Sequence, residues 1–88
     1  MFPSHDTLDT DDYNSFSIPK YSVILSVQEQ FGKVKMWVLC DPNEKQYEIR
    51  KFRLVGTGHS IEENIKSFIG TFQLLSGNFV GHLFEVYE

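Results

Sequence analysis

Residues 21–41 read YSVILSVQEQFGKVKMWVLCD. Val23, Leu25 and Val27 recur at every second position, with Ser22, Ser26, Gln28 and Gln30 mainly between them. That is the period of a half-buried strand. Phe31-Gly32-Lys33 is a tight-turn signal, so the chain should return as the second arm of a hairpin. On the return arm Val34, Met36, Val38 and Cys40 share one face, and Trp37 and Leu39 share the other with Lys35. A strand apolar on both faces is central, or is covered on its second side by another element or subunit.

Working outward from this hairpin, Asp41-Pro42-Asn43-Glu44 is a β-turn with proline in a favoured position. The segment 47–55 is a third strand. Tyr47 and Ile49 have one parity and Phe52 and Leu54 the other, which predicts a β-bulge at Arg50-Lys51. Gly56-Thr57-Gly58 ends the run, and Ser60 followed by Glu63 is a minimal capping box, enough for about one helical turn. Residues 66–75 form a fourth strand, with Phe68, Gly70, Phe72 and Leu74 alternating with Ser67, Ile69, Thr71 and Gln73. Ser76-Gly77-Asn78 signals a second hairpin into a last strand over 79–87. Towards the N-terminus, Phe16-Ser17-Ile18 reads as a short edge strand stopped by Pro19. The expected fold is mainly β: a small antiparallel β-barrel or a curled five- to six-stranded sheet with at most one short helix.

The chain has 88 residues, the size of one domain. Residues 16–88 are read as that β domain and residues 1–15 as an acidic flexible leader, mobile or loosely docked. The net charge of −4 sits in the leader, where Asp6, Asp9, Asp11 and Asp12 meet no Lys or Arg. The body is neutral, which argues against duplex nucleic acid as a partner. A domain this small has a modest core, and Cys40 as the only cysteine excludes an internal disulfide. Eight Phe, four Tyr and one Trp are a large apolar content for such a chain and favour a homo-oligomer. No signal peptide and no stretch near the ~20 apolar residues of a membrane span is visible.

Polar chemistry concentrates at the central turn. Close glycines let backbone N–H groups converge on an anion, and Lys51, Arg53, Thr57 and His59 lie beside Gly56 and Gly58. The competing reading is a strand-ending turn that needs glycine for its dihedrals. His82, between Val80 and Phe84, is a satisfied core or rim histidine or a ligand-binding one. Thr71 and Gln73 share a face that either lines a pocket or meets solvent, and Trp37 either stacks on a base or packs in a core or interface. No catalytic carboxylate pair, nucleophile–base pair, cofactor motif or metal pattern emerges.

Several stretches form one pattern: Ile24-Leu25-Ser26-Val27-Gln28, Asp41-Pro42, Phe52-Arg53, Gly56-Thr57-Gly58-His59, Ile69-Gly70-Thr71-Phe72-Gln73 and His82-Leu83-Phe84-Glu85. The pattern resembles a family of small, uncharacterised proteins encoded mainly by tailed bacteriophages, over about residues 16–88. Gly-Thr-Gly-His and Gly-Thr-Phe-Gln are its most specific parts. Ser60-Ile61 stands where that family usually has a proline.

The resemblance implies a phage gene product acting in an infected bacterium and brings no known activity with it. Many small accessory phage proteins counter host defences, some by sequestering a nucleotide signal, and sequestration of a small anionic nucleotide in the host cytoplasm, without catalysis, is the leading reading. Arg53, Gly56, Thr57, Gly58, His59, Thr71, Gln73, Trp37 and His82 would form its site. The alternative is a protein-interaction module that inhibits a host protein or serves virion assembly. A third reading, a nucleotide-cleaving enzyme with His59 and His82 as acid and base, lacks an activating carboxylate.

Overall fold

The computed structural model describes residues 1–8, 13–74 and 77–87. Seven strands form two antiparallel sheets: β1 (Phe2–Leu8), β2 (Tyr13–Pro19), β3 (Val23–Gln30), β4 (Lys33–Cys40), β5 (Tyr47–Gly56), β6 (Ile65–Leu74) and β7 (Phe79–Val86). One sheet has the order β1-β4-β3 and the other β2-β5-β7-β6. The sheets curl over a shared core and do not close into a barrel. Two more strands are present than the five read clearly from the sequence, because residues 2–8 and 13–19 both pair.

The central hairpin pairs as expected, but the bulge between Ile24 and Ser26 breaks the alternation read over β3: Val27 is buried, while Val23 and Leu25 are about half exposed. Phe31 and Gly32 have φ of 53° and 79°, the positive pair that a type I′ turn requires. The Glu29 carboxylate accepts a 2.7 Å bond from the Gly32 amide. β4 is the middle strand of its sheet, which accounts for its two apolar faces. The next turn is closed by Glu44 N–H donating to the Asp41 carbonyl at 3.1 Å, with the Asp41 side chain accepting from Asn43 N–H. It carries the chain to the second sheet.

The inner faces meet in one core. Val27, Val34, Met36, Val38, Cys40 and Leu8 come from the three-stranded sheet, and Ile18, Phe52, Leu54, Phe72 and Leu83 from the other. A Cβ on Gly70 would lie 2.9 Å from Val27 Cγ1, so edge strands β6 and β3 press together there. Gly81 lies under the Phe72 ring, where no side chain would fit.

Three local expectations are corrected. The segment read as a flexible leader contains β1, which pairs from Phe2↔Cys40 to Leu8↔Val34 and places Leu8 in the core. Asp9, Asp11 and Asp12 lie outside the described residues. The bulge expected at Arg50-Lys51 is absent, since β5 keeps register with β2 and β7 throughout. Arg50 instead continues the inward face of Phe52 and Leu54 as a charged residue, and Tyr47 and Ile49 face out. The helical turn expected after Gly58 does not form. Glu63, its would-be capping residue, pairs with Arg53 at 2.7 Å.

The bulges lie elsewhere, between Ile24 and Ser26 in β3 and at two places in β6. The second in β6, between Phe68 and Gly70, turns Ile69 onto the core and Phe68 outward against Phe84, with ring centroids 5.2 Å apart. Strand edges are commonly blunted this way. Of the second hairpin turn, Ser76 lies outside the described residues; Gly77 has φ of 91°.

Asp6 shows what β1 gives up by pairing. Burial raises its carboxyl above the ordinary 3.8, and His5 offsets this in part. A raised acid pKa means that folding penalises the charged form. The penalty is absent below pH 3.8, grows as pH rises, and is complete above the folded pKa. Asp6→Asn should therefore raise the melting temperature at pH 7 and leave it unchanged at pH 3. Equal shifts at both pH values would refute this.

Candidate functional site

The residues singled out in the sequence divide between two places. Thr57, Thr71 and His82 come together on the outer face of the four-stranded sheet. The register sets Val55, His82 and Thr71 side by side across β5, β7 and β6. The Thr57 amide extends the pairing by donating to the Val80 carbonyl at 3.2 Å, which brings its side chain next to His82. Both His82 ring nitrogens then meet hydroxyls: Nε2 is 2.8 Å from Thr57 Oγ1 and Nδ1 is 2.9 Å from Thr71 Oγ1. A hydroxyl can donate or accept, so the pair of threonines suits either tautomer of the ring.

Gly56, Thr57 and His59 line a hollow of about 340 Å³ together with Asn78, Phe79 and Val80. Gly58 has φ of 89°, which favours glycine. The amides of Thr57 and His59 are spent on the carbonyls of Val80 and Gly56, which supports the strand-ending turn more than an anion cradle. Arg53 is engaged as well. Its Nε donates to Glu63 at 2.7 and 3.3 Å and its Nη1 to the Leu54 carbonyl at 3.2 Å. Gln73 stands opposite Val80 on the same outer face. Trp37 is not part of this group. It belongs to β4, and its outward side chain packs on His5 of β1, with centroids 5.1 Å apart. The core lies between Trp37 and His82.

The other end of the sandwich holds a group that motif reading missed. Arg50 and Glu85 form a forked ion pair, Nε to Oε2 and Nη2 to Oε1 both at 2.7 Å. Their side chains are 13% and 4% exposed. Arg50 Nη1 also donates to the Ser22 carbonyl, so one guanidinium ties both sheets. The hydrogen bonding to Glu85, with the carboxylate charges of Glu85 and Glu48, raises the Arg50 pKa above its ordinary value against the opposing effect of burial. Lys66 Nζ lies 3.7 Å from Glu85 and 5.9 Å from the Tyr87 ring centroid. A groove of about 600 Å³ opens here, lined by Val23, Leu25, Phe68 and Ile69 with Arg50, Lys66 and Glu85.

Tyr87, also on the lining of this groove, is 56% exposed, and Ile49, which lines a smaller hollow of about 190 Å³ with Arg50, Lys66, Glu85 and Tyr87, is 69% exposed. The available signal was parity. Glu85 shares the inward face of Gly81 and Leu83, and Arg50 that of Phe52 and Leu54. An acid and a base on two inward faces require each other.

Among the described residues no three His, Cys, Asp or Glu are grouped to hold a metal ion, and no helix is long and apolar enough to cross a membrane. Residues 5–88 match a family described as a domain of unknown function, DUF7352. No curated protein and no solved structure matches the chain.

Proposed function

We propose that this chain, which belongs to the DUF7352 family of unknown function, is a protein-interaction module that captures its partner through the Arg50–Glu85 end. The observation that carries this is the crowding of exposed large apolar side chains there. Val23, Leu25, Ile49, Phe68 and Tyr87, which line the two adjoining hollows at Arg50 and Glu85, are between 48% and 69% exposed. Such a patch on a small domain marks an interaction surface, and aromatic side chains are the common anchors of such surfaces. The resemblance to tailed-phage proteins supports a setting in the cytoplasm of an infected bacterium. The partner is then a host protein, as in countering host defence, or another virion component.

Sequestration of a nucleotide-type signal is the second reading. It is favoured by the Thr57–His82–Thr71 row next to the 340 Å³ hollow, where Phe79 offers an aromatic wall. It lacks the contributions first assigned to Arg53 and Trp37, one paired with Glu63 and the other on the opposite sheet.

One experiment separates the two. Purified protein is incubated with extract of phage-infected bacteria, washed and denatured, and both proteins and small molecules are identified by mass spectrometry. A stoichiometric protein retained by wild type and by His82→Ala, and lost with Ile49→Lys, is the expected result. A nucleotide released intact, and lost with His82→Ala, would replace this reading with the second.

A further inference from the structure

We infer that the chain assembles head to tail, with Phe31 of one copy seated in the groove lined by Leu25, Phe68 and Ile69 of the next. This rests on reading that end as a protein-binding surface, and it names a second copy of the chain as an occupant.

Phe31 is the starting point. It is 93% exposed, the most of any large apolar residue described. It stands at the tip of the β3–β4 hairpin with φ of 53°, a conformation for which turns ordinarily use Asn, Asp or Gly. The Gly32 amide bond to Glu29 closes the tip without it. The ring thus serves neither the turn nor the core, and it projects as a knob.

The groove is its counterpart. Its walls include Val23, Leu25 and Phe68, which are 50%, 48% and 56% exposed. Its volume of about 600 Å³ is ample for one aromatic side chain. Lys66 on its lining offers a cation to a ring face. The β3 bulge beside Leu25 interrupts the strand edge, so contact there is made by side chains and not by adding a strand.

Knob and groove lie at opposite ends of β3. The strand has eight residues, so they are roughly 26 Å apart at ~3.3 Å per residue. They cannot meet within one chain. Between copies they make a heterologous contact, which repeats into a ring or a filament.

Analytical ultracentrifugation of the full chain across a concentration series tests this. Wild type should form concentration-dependent oligomers. Phe31→Asn improves the turn chemistry and keeps the fold, yet should weaken self-association by roughly thirtyfold or more, as loss of an interface anchor does. Leu25→Glu, with its fold checked by circular dichroism, should do the same from the groove side. An equimolar mixture of the two variants should recover a one-to-one dimer, because each keeps the half that the other lacks.

A mixture that stays monomeric would overturn the head-to-tail arrangement. Assembly unchanged in Phe31→Asn but lost in Leu25→Glu would overturn the knob and leave the end surface standing. Wild type that is monomeric at every concentration would overturn self-assembly altogether, with no bearing on capture of another protein.

Discussion

Arg50→Ala should destabilise the domain by about 3–5 kcal/mol, the cost of removing one partner of a buried ion pair. Glu85 is 4% exposed at its side chain and receives both forks of the guanidinium. Without Arg50 its carboxylate stays in the interior with Lys66 beside it among the described residues, at 3.7 Å and 46% exposed. The bond from Arg50 to the Ser22 carbonyl is lost too, and with it a tie between the two sheets. Since a small domain is stable by only about 5–15 kcal/mol, this one change takes a large share of the total. Urea unfolding of Arg50→Ala, Glu85→Leu and the double variant Arg50→Met/Glu85→Leu checks it. The double variant should lose less than Arg50→Ala, because no charge is left stranded. A loss below about 1 kcal/mol in Arg50→Ala would show that water reaches the carboxylate freely.

Gly81→Ala should cost about 3 kcal/mol, the upper part of the range for overpacking. Gly81 is buried in β7 directly opposite Phe72 of β6. A Cβ there would press on the Phe72 ring, with two of its carbons at 2.9 Å and Cζ closer still. The ring cannot swing away freely, because it is 4% exposed and has Phe79 on another side, 6.4 Å between centroids. Shrinking the neighbour should restore part of the loss, so Gly81→Ala/Phe72→Leu should be more stable than Gly81→Ala alone. Thermal melts of the three proteins give the answer. Additive losses in the double variant would place the strain elsewhere than between these two residues.

The elements legible in the sequence are those whose cues are local. The Phe31-Gly32 hairpin, the Asp41-Pro42-Asn43-Glu44 turn and the two-faced strand β4 are each determined by a few adjacent residues. β1 was not legible for the opposite reason. Its Ser4, His5 and Asp6 carry little strand preference, and the open edge of β4 is what orders them. The parity change in β5 was seen correctly but explained by the wrong device. An inward Arg50 is permitted only because Glu85, 35 residues away, faces it.

The same holds for the candidate site. Thr57, Thr71 and His82 were each picked out, but their contact depends on the β5–β7–β6 register. Trp37 was grouped with them on chemistry alone, and the sheet assignment separates it. The Arg50–Glu85 end was missed because Glu85 was noted only as the last residue of the His82-Leu83-Phe84-Glu85 stretch and Arg50 only as the place of a bulge, and no local cue sets the two opposite each other.

The strand order also sets a clock. Only β3–β4 and β6–β7 pair through short connections; β1 must find residues 34–40, β2 residues 47–53, and β5 residues 81–86. Each of these closures costs chain entropy before its contacts reward it. Proteins dominated by such pairings fold in milliseconds to seconds, far more slowly than helical bundles of the same size. The two hairpins are the pieces that can form at once, and the sandwich waits on their docking. During that interval the edges of β4 and β5 that later receive β1 and β2 stand open, and this is when a newly made copy is most exposed to wrong pairing.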